Sequence, residues 1–210
     1  MALVIAAAVV GAVLGVAADW LSRRWPDHED DNERKRPDWR TLVVPAAGAH
    51  AGAALLSRWT EPRDVAVLGI YCAALLVLLA TDLDQKLLPD LITLPLVVLC
   101  GAALALNWAP PLADKALGQA SGLLAAVGVP AFLFVSDRLL RGDLGAGDLK
   151  LAVSVGLMSG VYNVFVGLIV ASVAFSAVLI VLIVLRRLTL RSAVPFGPVL
   201  IVTGFIAALL

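Results

Sequence analysis

"LKLAVSVGLMSGVYNVFVGLIVASVAFSAVLIVLIVL" (Leu149–Leu185) is a run of 37 residues whose only charge is Lys150. A single helix of that length, rising about 1.5 Å per residue, would extend about 55 Å. The hydrocarbon core of a bilayer is only about 30 Å thick and takes about 20 helical residues. A break near "SGVYN" (Ser159–Asn163) resolves the run into two antiparallel spans. The whole chain has the same character. It is 61% hydrophobic, and its mean hydropathy is +0.96. A chain with so little polar surface cannot cover a soluble globule, so an integral membrane protein is the first reading.

Working outward from that run, apolar segments predict an all-α, polytopic transmembrane bundle of about eight helices. They cover Ala2–Leu21, Thr41–Leu56, Val65–Thr81, Leu91–Asn107, Gln119–Val135, Asp148–Val161, Val164–Leu185 and Pro198–Leu210. Lys and Arg split 13 to 3 between alternate loops. The richer set should face the cytoplasm, which puts both termini outside. The apolar N-terminal segment has no basic residues before it, while Arg23 and Arg24 follow it. That order is the reverse of a signal peptide and predicts a retained span. Trp20, Trp39, Trp59 and Trp108 fall near the expected helix ends, at interfacial depth. Gly11–Gly15, Gly48–Gly52 and Gly118–Gly122 have GxxxG spacing and should let helices pack closely.

Residues 22–40 form a mixed-charge stretch poor in apolar residues, read as a solvated cytoplasmic loop. No other connection is long enough to divide the chain, so residues 1–210 are expected to form one membrane-embedded domain. Zero formal net charge gives no hint of nucleic-acid binding. Cys72 and Cys100 lie in apolar runs without a CxxC pair and read as packing residues. His50 lies mid-helix and His28 in the polar loop, so neither a metal site nor a Ser/His/Asp set can be assembled. No metal and no cofactor are expected.

The acids are more informative. "ATDLDQKLLPD" (Ala80–Asp90) places Asp82, Asp84 and Asp90 at the cytoplasmic end of the third helix. "GAGDLK" (Gly145–Lys150) opens the sixth helix and brings Asp148 to the same side. Ionisable groups at membrane depth are costly and imply a use. Asp148 alone reads equally as a helix N-cap, and Asp82 as a charge that ends a helix at the interface. Asp84 and Asp90 look like surface and turn residues. Taken together, two helices deliver acids to one face, and one acid follows a GxG turn open to close backbone approach. Two neighbouring carboxyls share a proton, so one can activate water while the other protonates a carbonyl.

These motifs resemble the type IV prepilin peptidases, bacterial GxGD intramembrane aspartyl proteases. The family's D-x-D-x-x-x-(L/I)-P-(D/N) motif is matched by "DLDQKLLPD" and its GxGD-x-K-L motif by "GAGDLKL". The resemblance gives Asp82 and Asp148 the catalytic roles. A third signature, "PFGP" (Pro195–Pro198), precedes the last helix, as it does in the family. The likeness covers roughly Asp64–Leu210. It implies site-shaping or substrate-contacting roles for Asp84, Gly145, Gly147, Lys150, Pro195, Phe196, Gly197 and Pro198. In the N-terminal third, "GVAADWLSRRWP" (Gly15–Pro26) stands where the family carries G-S-F-L-N followed by a basic-proline stretch, and only the glycine and the Arg-x-Pro-like end survive. Large members carry a Cys-rich cytoplasmic domain associated with N-methylation; the loop here is short and has no cysteine. The expectation is a peptidase without methyl transfer.

The resemblance therefore implies an aspartic endopeptidase of the bacterial cytoplasmic membrane, its active site facing the cytoplasm. It would remove the leader from prepilin-like or pseudopilin precursors and serve a type IV pilus or protein secretion. Its partners would be those precursors and membrane lipid. The alternative is a small proton-coupled transporter using the paired acids as an ion pathway. No convincing repeat relates the two halves, which weighs against it.

Overall fold

A computed structural model of the chain describes residues 1–25, 39–113, 117–140, 144–184 and 196–209. Pro195 and most of the polar 22–40 loop lie outside the described residues. Those residues form an all-helical bundle of seven elements. They are α1 (Ala2–Ser22), α2 (Arg40–Arg58), α3 (Pro62–Gln85), α4 (Asp90–Ala105), α5 (Gly118–Leu140), α6 (Ala146–Val184) and α7 (Gly197–Leu209). Helices α1, α3, α5 and α6 are long and apolar enough to cross a membrane, while α4 and α7 are shorter apolar helices.

The break expected within Ser159–Asn163 falls at Gly160. It has φ 72° and ψ 176°, and it kinks α6 into two rods rather than separating two helices by a loop. Leaving helical geometry frees backbone groups, which apolar surroundings do not satisfy. Ser121 of α5 answers one of them, its Oγ accepting the Val161 N–H at 3.0 Å. A side chain at Gly160 has no room, since a Cβ there would lie 2.6 Å from Leu112 and 2.7 Å from Ser121 Oγ.

Helix α3 contributes much of the core. Leu68, Tyr71, Leu75 and Leu78 are fully buried along it. They join Leu151, Val155 and Met158 of α6, Leu96 and Cys100 of α4, and Leu200 and Ile201 of α7 in one core. Leu3, Val10, Leu124, Phe132, Ile169 and Val173 instead point outward. A bundle apolar on both its inside and its outside belongs in lipid. Cys72 and Cys100 are buried free thiols, as packing residues should be.

Helices α1 and α2 zip together through their glycines. A Cβ on Gly11 would meet the Gly48 carbonyl oxygen at 2.0 Å, and one on Gly52 would meet that of Ala7 at 2.2 Å. The two GxxxG stretches thus serve backbone-to-backbone packing. At one end of this hairpin Arg23 pairs with Asp19 at 2.5 Å, and its guanidinium also donates to Thr41 Oγ1 at 2.5 Å.

Gly160→Ala combines a left-handed backbone with a clash, so it should cost about 2 kcal/mol or more. Ser121→Ala, which leaves the Val161 N–H unpaired, should cost about 1–3 kcal/mol. Thermal unfolding in detergent should show a lower Tm for both; an unchanged Tm in Gly160→Ala would mean that the kink is not built as described.

Candidate active site

Helix α3 runs past the expected end at Thr81 to Gln85, so Asp82 and Asp84 both lie inside its last turn. It stops at Lys86, which takes the left-handed conformation at φ 54° and donates its N–H to the Asp82 carbonyl at 2.9 Å. A left-handed residue at this position satisfies an orphan carbonyl and turns the chain. The chain then passes through Leu88 and Pro89 into α4, which Asp90 opens.

Asp82 is 4% exposed, and its Oδ2 is buried without a hydrogen-bond partner among the described residues. Buried carboxyl oxygens are rarely left so, and each instance calls for an explanation. The carboxyl is covered by the start of α7. A Cβ added to Gly197 would lie 2.6–2.7 Å from Asp82 Oδ1, Oδ2 and Cγ, so no side chain fits there. Gly197 and Pro198 are themselves buried, and Phe196 packs against the core. Of the described residues of "PFGP", Gly197 forms the roof over Asp82.

Asp148 stands in the first turn of α6, two residues after the helix begins at Ala146. Its Oδ2 accepts the Gly145 N–H at 3.2 Å. This is the reciprocal half of a capping box, in which an acid one turn into the helix satisfies the donor at its entrance. The carboxyl is half-buried, so capping engages one oxygen and leaves the group accessible. Gly147 is pressed onto the α3–α4 connection, where a Cβ would meet that of Leu88 at 2.8 Å. The first turn of α6 is thereby held against the segment that leaves Asp82. Asp148 and Lys86 are both within electrostatic reach of the Asp82 carboxyl.

Other charges tie this end of the bundle together. Asp84 is paired with Arg40 of α2, whose Nη1 also donates to the Leu83 carbonyl at 3.0 Å. Lys150 Nζ donates to Asp90 Oδ1 at 2.6 Å, joining α6 to the start of α4. Thr81, directly before Asp82, returns its hydroxyl to the Val77 and Leu78 carbonyls, each at 3.1 Å. Asp137, near the end of α5, accepts the Leu144 N–H at 2.9 Å. Of these, Arg40 and Asp137 were not singled out in the sequence. Arg40 reads as a loop charge and Asp137 as an ordinary surface acid in "SDRLL", and neither stands in a motif. Asp90, read as turn and cap chemistry, is in addition the partner of Lys150.

The resulting geometry is a pair of acids on different helices at one end of the bundle. One is roofed by a glycine and the other is presented by a glycine turn. Two carboxyls that meet across one water can divide the work of general base and general acid.

Comparison with known proteins follows the same residues. The family model described as "Type IV leader peptidase family" matches residues 69–185, a segment that contains Asp82 and Asp148. The prepilin leader peptidase/N-methyltransferase of Aeromonas salmonicida (strain A449) is 34% identical over 177 residues, covering 82% of this chain and 50% of that protein. Its namesake in Burkholderia pseudomallei (strain K96243) is 34% identical over 173 residues, covering 78% and 52%. That of Pseudomonas putida is 35% identical over 169 residues, covering 75% and 56%. The chain thus spans about half the length of the curated relatives it matches. No solved structure matches. With over half of its residues matched by the family model, the chain belongs to the type IV leader peptidase family.

Proposed function

We propose that this protein is an aspartic endopeptidase that removes the cytoplasmic leader from prepilin-like or pseudopilin precursors. The observation that carries the reading is the buried carboxyl of Asp82 beneath Gly197, whose Oδ2 has no hydrogen-bond partner among the described residues, with Asp148 delivered to the same end of the bundle. The family match and the curated relatives' names support it. In this reading the protein lies in the bacterial cytoplasmic membrane with both termini outside and the acids at the inner interface. The 13 to 3 distribution of basic residues supports that orientation.

The substrate would be an apolar helix preceded by a short basic leader, packed laterally against the bundle with its scissile peptide at the inner interface. One carboxylate of the pair takes a proton from water, whose oxygen attacks the carbonyl carbon. The other acid protonates the carbonyl oxygen. Collapse of the tetrahedral intermediate breaks the C–N bond and returns a hydroxyl proton to the second acid, while the proton first taken from water passes to the leaving amine. The two acids act as one coupled unit, so neither step is assigned to one of them. Asp84 and Lys150 shape the site from outside it, through Arg40 and Asp90 respectively. Gly145 and Gly147 set the turn that presents Asp148, and Gly197 covers Asp82; Pro195, Phe196 and Pro198 are given site-shaping roles by their motif alone. The reaction proposed is hydrolysis alone, because the only cysteines of the chain, Cys72 and Cys100, are buried in α3 and α4 and the α1–α2 connection has none.

Co-expression with candidate prepilins, followed by mass spectrometry of their mature N-termini, tests the reading. Wild type should yield a cleaved, unmethylated N-terminus. Asp82→Asn and Asp148→Asn should each lower cleavage by at least about 100-fold while the protein still inserts. Full cleavage by either variant refutes the pair. Aspartate-dependent ion flux in proteoliposomes, without proteolysis, would favour a transporter instead.

Two further substitutions grade the surroundings. Gly197→Ala must displace the Asp82 carboxyl, and a misplacement of about 1 Å costs about 100-fold in rate. Lys150→Met should lower cleavage by less than about fivefold, because its partner Asp90 is 61% exposed and such pairs contribute no more than about 1 kcal/mol. Both are read from initial rates of leader release on a purified prepilin.

A further inference from the structure

The Asp148 carboxyl can be no better placed than the turn that carries it. Its visible tether is the Gly145 N–H, and Gly145 follows directly on Leu144. Leu144 is fixed at two points. Its side chain packs against the main core, and its N–H donates to Asp137 Oδ1 at 2.9 Å, seven positions back at the end of α5. The hydrogen bonds therefore form a relay, from α5 through Asp137 to the Leu144 amide, then by one peptide unit to the Gly145 amide, and so to Asp148. Asp137 is partly buried, and its bond to Leu144 is charge-assisted, a class shorter and stronger than neutral ones. Without the acceptor, the backbone that leads into Gly145 loses its hydrogen bond to α5.

We propose that Asp137 is a positioning residue for Asp148, anchoring the Leu144 amide and so setting the turn that orients the Asp148 carboxyl. Its role is that of an acceptor at a defined point and not of a charge facing the basic leader. The kinetic readout rests on the peptidase reading above; the structural readout does not.

The test compares Asp137→Ala, Asp137→Asn and Asp137→Glu in the full-length protein, in detergent or proteoliposomes. Asn keeps an acceptor at the same distance without the charge. Glu keeps the charge and moves the acceptor out by one methylene. Asp137→Ala should lower kcat by about 10- to 100-fold with KM changed less than about twofold. Asp137→Asn should restore most of the lost activity, and Asp137→Glu should fall between them. Amide hydrogen exchange over residues 144–148, followed by mass spectrometry, should be at least about tenfold faster in Asp137→Ala and near wild type in Asp137→Asn. If Asp137→Ala fails to insert, the order Asn above Glu still decides. The proposal is overturned if Glu outperforms Asn, if the loss is in KM alone, or if exchange is unchanged in Asp137→Ala. If wild type cleaves no prepilin, the peptidase reading fails by itself, and the exchange data still judge the anchor.

Discussion

Asp82 brings a carboxyl group into the interior of an apolar bundle, and the backbone of Gly197 lies directly against it. Burying such a group costs several kcal/mol unless it is compensated. Little in the surrounding bundle serves that end except the placement of helix termini. Helices α3, α4, α6 and α7 all end or begin near it, and helix termini are where a bundle has spare backbone donors and acceptors. A site at the ends of four helices can thus be polar while the remainder of each helix stays apolar. The bracing pairs Arg40–Asp84 and Lys150–Asp90 join helices at the same end.

The kink in α6 belongs to the same design. A run of 39 helical residues from Ala146 to Val184 cannot remain straight within one bilayer. The bend at Gly160 lets the first rod, with Asp148 at its start, pack against α4 and α5, and lets the second pack against α7 through Gly167 and Thr203. One chain segment therefore both carries an acid and supports the helix that roofs the other. The bend is admissible because Ser121 takes up the Val161 N–H, so a hydroxyl on α5 underwrites geometry that serves α6 and α7.

Much of this was legible in the sequence, for physical reasons that differ by residue. Hydrophobic runs report membrane helices directly, because lipid leaves no alternative to internal hydrogen bonding. The break at Ser159–Asn163 followed from length alone, and the structure bends within it. Helix ends were read less well. α3 continues four residues beyond Thr81, since near an interface polar residues no longer mark a terminus. The runs expected as two helices from Asp148 and Val164 are joined through a bend that involves a single residue. Contacts between distant residues were not legible at all. Arg40 meets Asp84 from 44 positions away, and Gly197 meets Asp82 from the last helix, with nothing in local composition to signal either. Asp137 was invisible for another reason: its partner is a backbone N–H, which every residue but proline has.

The N-terminal hairpin shows why some parts of such a protein can diverge in sequence while others cannot. Helices α1 and α2 lie outside the segment matched by the family model, and of the stretch that the family resemblance would place there only the glycine and the Arg-x-Pro-like end survive. Gly11 and Gly48 allow contact between backbones, Arg23 locks the end of the pair to Asp19 and Thr41, and Arg40 reaches the last turn of α3. The glycines of this pair are as confined as those at the site, but a small-residue seam can be built at many positions along two helices, and a cation can be presented from several positions along a turn. The requirements at Asp82, Gly147, Asp148 and Gly197 are of another kind. At the two glycines a single methyl group would collide with a carboxyl or with the α3–α4 connection, and at the two acids the chemistry itself requires a carboxyl. A helix seam can be moved along its two helices, but the glycines at the site are tied to two fixed carboxyls, so the hairpin can brace α3 while keeping only part of the family's motif.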